Sequence, residues 1–141
     1  MFRRLFAPLL ALLLCLPSAG FAASPAQPPK PIDLAVVHAM MVGTWQNNED
    51  TRFTREFDAD GQATDRHEGD DAGIVNGRWS LFLGSAPPPD VHGLKLVPQA
   101  VYLRLQQSDD VLVYGLVSLS SADMKMVYLE GGNLLSFMRL K

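Results

Sequence analysis

The sequence predicts an all-β fold: an antiparallel up-and-down β-barrel of about eight strands, preceded by one short N-terminal helix. Three observations carry this expectation. Beyond Gly43 the apolar residues follow the two-residue period of strands, clearest where Val101, Leu103 and Leu105 alternate with Tyr102, Arg104 and Gln106. Polar, glycine- and aspartate-rich turns interrupt these segments at short intervals, and tight turns join antiparallel neighbours because parallel pairs need long crossovers. Only one stretch, just before Gly43, has helical spacing. Closing such a meander into a barrel removes the exposed sheet edges that an open one would leave.

Residues 1–22 stand apart from this domain. Arg3 and Arg4 precede an apolar run from Leu5 to Leu16, and Pro17-Ser18-Ala19-Gly20-Phe21-Ala22 follows. A basic start, a short apolar core and small residues at Gly20 and Ala22 are the layout of a secretory signal peptide cleaved after Ala22. The run falls short of the roughly 18 residues that crossing a bilayer requires, which disfavours a retained anchor. Leu14 stands where a lipidated signal cysteine has a small residue before it, which argues against a lipoprotein attached through Cys15. Arg3-Arg4-Leu5-Phe6 matches a twin-arginine signal only in part, so the general secretory route is expected. The mature chain is therefore expected to be periplasmic or secreted.

Cleavage leaves 119 residues, and the loss of Arg3 and Arg4 takes the formal charge from −3 to −5. With no basic patch there is no counterion-release contribution to polynucleotide affinity, so a nucleic-acid partner is not expected. The single cysteine leaves with the signal, and packing rather than disulfides must hold the domain.

Residues 23–31 contain Ser24-Pro-Ala-Gln-Pro-Pro-Lys-Pro31, too proline-rich for helix or sheet, and read as an extended tether. The barrel domain is expected over residues 32–141. Asp33 offers a carboxylate to the free N–H groups of a first helical turn, and Leu34, Val37, Met40 and Met41 follow at helical spacing. Strands are expected at Gly43 to Gln46, Thr51 to Asp58, Gln62 to Glu68, Ile74 to Leu83, Leu94 to Gln107, Val111 to Ser118, Met124 to Glu130 and Leu134 to Leu140. The turns between them include Asp58 to Gly61, Gly69 to Gly73, Ser108 to Asp110 and Gly131 to Asn133. Val111 to Val117 and Leu134 to Leu140 are apolar on both faces, which implies a second apolar surface covered by the helix, another chain or a membrane.

Gly43-Thr44-Trp45 opens the first strand, and Arg139 lies in the last strand in phase with Leu135 and Phe137. In a closed barrel those strands are neighbours, so the Arg139 guanidinium can rest on the Trp45 ring. This arrangement resembles the lipocalin and fatty-acid-binding group. Together with Phe57-Asp58-Ala59-Asp60-Gly61 and Gly77-Arg78-Trp79, it is similar to bacterial lipocalin-like domains over residues 34–141. The resemblance implies a β-barrel and a small apolar ligand.

Trp45 and Arg139 are expected to close one end of the barrel structurally, with Trp79 either joining them or contacting a ligand. Phe53 and Phe57 share a face with Arg55. If that face points inward, Arg55 is a charge inside the barrel that can grip a carboxylate or another anionic head group; otherwise it faces solvent near a rim. The ligand-binding candidates are thus Phe53, Arg55, Phe57, Trp79 and Leu103.

Other constellations point away from metals and catalysis. Asp58-Ala-Asp60-Gly61 looks like part of a calcium loop, but His67 stands where such a loop has its bidentate glutamate, so a hairpin is expected. Asp65, His67, Glu68, Asp70 and Asp71 could hold a divalent cation but read better as a solvated hairpin end. His38, His67 and His92 share no metal-ligand spacing, and neither a nucleophile elbow nor a phosphate loop is present. No metal, cofactor or catalytic residue is expected. Residues Gly84 to Gly93, with three consecutive prolines, form either a lid over a barrel mouth or a stiff connector. The expected function is binding of a small, largely apolar molecule in the barrel interior without catalysis. The alternatives are a module that docks on an envelope protein and, more remotely, an enzyme at the barrel mouth.

Protein recovered from the export compartment of an expressing bacterium is expected to begin at Ala23. Intact mass spectrometry reads this directly, and a start at Met1 or a lipid adduct on Cys15 would overturn it.

Overall fold

The computed structural model describes residues 24–141. The expected signal peptide, its cleavage after Ala22 and Cys15 lie outside the described residues. The chain divides into two units, residues 1–30 and 31–141; in the first, residues 24–30 are exposed and without regular structure. The second begins with helix α1 (Leu34–Met41), followed by β1 (Gly43–Asn47), β2 (Phe53–Phe57), β3 (Gln62–His67), β4 (Asp70–Leu83), β5 (Val101–Gln107), β6 (Asp110–Leu119), β7 (Asp123–Tyr128) and β8 (Leu134–Arg139). Each strand pairs antiparallel with the next, and β8 pairs with β1 to close the barrel. The all-β fold expected from turns and alternation is the observed one. Asp33 caps α1 as its position suggests, accepting from Ala35 N–H at 2.9 Å.

Two boundaries differ from those read in the sequence. Gly69 to Gly73, expected as a turn, is mostly strand: His67 pairs with Asp70, so Glu68-Gly69 alone reverse the chain, with Gly69 at φ 85°. A left-handed glycine is what a two-residue hairpin loop needs. Leu94 to Gln107, expected as one strand, yields sheet only from Val101. The residues before it leave the sheet to clothe its outside.

That departure accounts for much of the second apolar surface. Phe82, Tyr102 and Val113 form a cluster with Val91, and Leu94 and Leu96 pack against it. These loop residues lie on the outer wall of β4, β5 and β6, where Tyr102 and Val113 alternate with inward neighbours. Asp90 pairs with Arg104, and Val97 N–H donates to the Tyr102 hydroxyl at 2.8 Å. The proline-rich segment therefore clads the wall rather than lidding a mouth.

Inside, the pairing register runs in tilted rows. Trp45 pairs with Arg55, Arg55 with Asp65, and Asp65 with Val75. Leu81, Leu103, Tyr114 and Tyr128 form a second such row, and Trp79, Leu105 and Leu112 a third. Strand tilt in a closed barrel makes each row climb from one end to the other. Trp45, Phe57, Trp79, Leu103 and Leu105 are buried, whereas Leu112 and Tyr128 are half-buried and Val75 is 38% exposed. One end of the barrel is sealed, and the other is open.

Helix α1 seals the first end. Its Met41 is wholly buried, Val37 and Val42 pack on the core beside it, and the His38 ring stacks on Trp79 at 4.3 Å. Trp45 Nε1–H donates to the Met41 carbonyl at 2.8 Å. The Arg139 guanidinium lies over the Trp45 ring, 4.1 Å from its centroid. It also donates to the Val42 carbonyl at 2.7 Å, to Ser121 at 2.7 Å, and to the Met40 carbonyl, thereby satisfying the end of the helix. The glycines of the two Gly-x-Trp segments have steric reasons. Gly43, at φ 136°, leaves the space that Arg139 Nη1 occupies, and at Gly77 a Cβ would strike the Gln106 carbonyl of β5.

Arg139→Ala removes the cation–π contact and three charge-assisted hydrogen bonds at once. Urea denaturation is expected to show a loss of about 2–4 kcal/mol, allowing about 0.5–2 for the ring contact and the remainder for hydrogen bonds of which some are solvated. An unchanged midpoint would mean that the helix and barrel closure do not depend on this side chain.

Candidate functional site

The hairpin of β2 and β3 places Arg55 and Asp65 opposite each other with both side chains inward. Arg55 is 4% exposed and Asp65 7%. Arg55 Nε donates to Asp65 Oδ1 at 2.6 Å and Nη2 to Oδ2 at 2.7 Å, a bidentate pair. Gln107, reaching across from β5, donates to the same Oδ2 at 2.7 Å. Burial works against the Arg55 charge, but the hydrogen bonds and negative charge of Asp65 outweigh it, with Tyr114 adding to them, and hold the guanidinium above its ordinary pKa. The Phe53 and Tyr114 rings stand 5.6 and 5.3 Å from its Cζ. Its third nitrogen, Nη1, is buried and has no hydrogen-bond partner.

Of the two readings left open for Arg55, the inward one is observed, and the charge is matched by a carboxylate of the same barrel. The five candidate ligand residues do not form one site. Phe57 and Trp79 lie at the sealed end with their rings 5.0 Å apart, under α1, and Trp79 Nε1–H donates to the Asp58 carbonyl at 2.9 Å. Leu103 is buried in the middle of its row. Phe53 alone joins Arg55 toward the open end, where it is half-buried. Trp45 and Arg139 occupy the closing positions expected of them.

The open end brings together Phe53, Val75, Gln107, Leu112, Tyr128 and Leu135, all half-buried or exposed, above the Arg55–Asp65 pair. Asp65, Gln107 and Tyr114 were not among the ligand candidates. Asp65 stood in the sequence among acidic neighbours, and that cluster is dispersed: Asp65 binds Arg55, His67 pairs with Asp50 at 3.0 Å, and Asp70 accepts from Gly73 N–H. Among the described residues no three potential metal ligands gather. A concavity of about 460 Å³ lies elsewhere, bordered by the outward-facing Gln46, Thr54, Arg66, Ile74 and Leu140. None of the residues singled out as ligand contacts borders it.

Compared with family models, with curated proteins and with solved structures, the chain gives no match.

Asp65→Asn leaves a buried guanidinium without its counter-charge and is expected to cost about 3–5 kcal/mol in urea denaturation. The double variant Arg55→Met with Asp65→Leu is expected to regain most of that loss, because both charges then leave the interior together. A double variant as unstable as Asp65→Asn would show that packing, not unpaired charge, sets the cost.

Proposed function

We propose that the domain is an exported binding module that takes one small, largely apolar molecule at the open mouth of its barrel and acts by binding alone. One observation carries this reading: inward-facing side chains are fully buried at the helix end and half-exposed at the other, over a polar pair. Apolar and aromatic groups at the rim, with a few convergent polar atoms beneath, are the usual make-up of a small-molecule site. The lower barrel is filled by Trp45, Phe57, Trp79, Leu105 and Phe137, which favours a shallow site over a deep calyx. The likeness to lipocalin-like domains supports the same class of ligand. The leader sequence supports a periplasmic or secreted location.

A second reading, docking on an envelope protein, is favoured by one feature. Leu134, Met138 and Leu140 alternate on the outer face at β8 and are 52%, 46% and 39% exposed.

Titration with the neutral fluorophore N-phenyl-1-naphthylamine tests the first reading. Val75→Glu at the rim is expected to weaken binding by about tenfold or more, while Val36→Glu, exposed on α1, and Met138→Glu on β8 leave it unchanged. Absence of binding to the unaltered protein, or equal loss in all three variants, would remove the mouth as the site.

A further inference from the structure

Resting on the mouth as the binding site, we infer that its polar anchor selects a neutral hydrogen-bond acceptor on the ligand, a carbonyl or similar oxygen, over a carboxylate. The Arg55 guanidinium is planar, and the edge formed by Nε and Nη2 is occupied by Asp65 at 2.6 and 2.7 Å. Nη1 therefore points away from Asp65, and it is the donor that lacks a partner. An arginine nitrogen can only donate, so whatever completes it must be an acceptor. A buried donor left unpaired forfeits its hydration, which makes this position favourable for any neutral oxygen delivered to it.

An anion gains much less there. The pair is already electroneutral, and Gln107 fixes the Asp65 carboxylate in place at 2.7 Å. A ligand carboxylate at Nη1 would lose its hydration and meet the Asp65 charge across a single guanidinium, in surroundings too dry to screen the repulsion. Phe53 and Tyr114, whose rings stand 5.6 and 5.3 Å from Cζ, flank the approach and suit a flat apolar body behind the acceptor. The ligand class that fits is a flat, apolar molecule carrying a neutral carbonyl.

Three probes of one skeleton test this on the unaltered mature protein: naphthalene, 2-acetylnaphthalene and 2-naphthoate, each competing against N-phenyl-1-naphthylamine. The ketone is expected to bind about tenfold more tightly than either the hydrocarbon or the carboxylate. In ¹⁵N-labelled protein the Arg55 guanidinium resonances should shift with the ketone and stay fixed with the hydrocarbon. Equal affinity for ketone and hydrocarbon, the result expected if a trapped water already completes Nη1, overturns the inference and leaves the mouth reading standing. Tightest binding of 2-naphthoate overturns it in favour of an anion site. If no probe binds, the mouth reading fails and the inference falls with it.

Discussion

Arg139 is the side chain on which the barrel's closure turns. It belongs to the last strand, its guanidinium lies 4.1 Å from the Trp45 ring centroid on the first strand, and its nitrogens take up carbonyls at the end of α1. A meander of short strands gains a closed hydrogen-bond network only if its first and last members meet, and those two are the farthest apart in sequence. The same cation that joins them satisfies helix-end carbonyls that would otherwise be orphaned beside an apolar core. Gly43 is required by this arrangement, since any Cβ there would occupy the place of the guanidinium.

The difference between the two barrel ends follows from that joint. Only one helix is available, and Arg139 and Trp45 hold it at the end where Phe57 and Trp79 are buried. Because the inward rows are tilted, a row that begins under the helix with Trp45 must finish at the far rim with Val75. The rim side chains are therefore exposed by geometry rather than by local composition. Arg55 and Asp65 fall between the two ends, deep enough to lose water and near enough to the rim for Phe53 beside them to be half-buried.

Much of this was legible in the sequence, and the parts that were not have physical reasons. The period of two, the turn signals and Asp33 sufficed for the strands and the helix. Gly43-Thr44-Trp45 and Arg139 sufficed for the closure, because barrel topology alone makes their strands neighbours. The partner of Arg55 was also within reach: the β2–β3 hairpin is symmetric about Asp60, so residue 55 must face residue 65. It was obscured because Asp65 sits among other acidic residues and reads as part of a solvated turn. Gln107 had no local signal, since it reaches Asp65 from 42 residues away and only through the placement of β4 and β5. The strand that fails before Val101 misled for a related reason: Leu94 and Leu96 carry the period of a strand, but they bury themselves against the outside of the sheet.

The Arg55–Asp65 pair is the least expected feature of so small a core. Buried ion pairs are often no more stabilising than well-packed apolar residues of the same volume, because the attraction has to offset the desolvation of both charges. Here the balance is poorer still, since one guanidinium nitrogen is buried without a partner. Stability alone would favour an apolar pair at these two positions, continuous with the Trp45, Phe57 and Phe137 around them. A purely structural pair would also be expected to satisfy all of its donors, as Arg139 does much more nearly at the sealed end. The contrast between two arginines of the same barrel, one spent on closure and the other holding a donor in reserve beneath the open rim, is the strongest physical reason to look for recognition at Arg55.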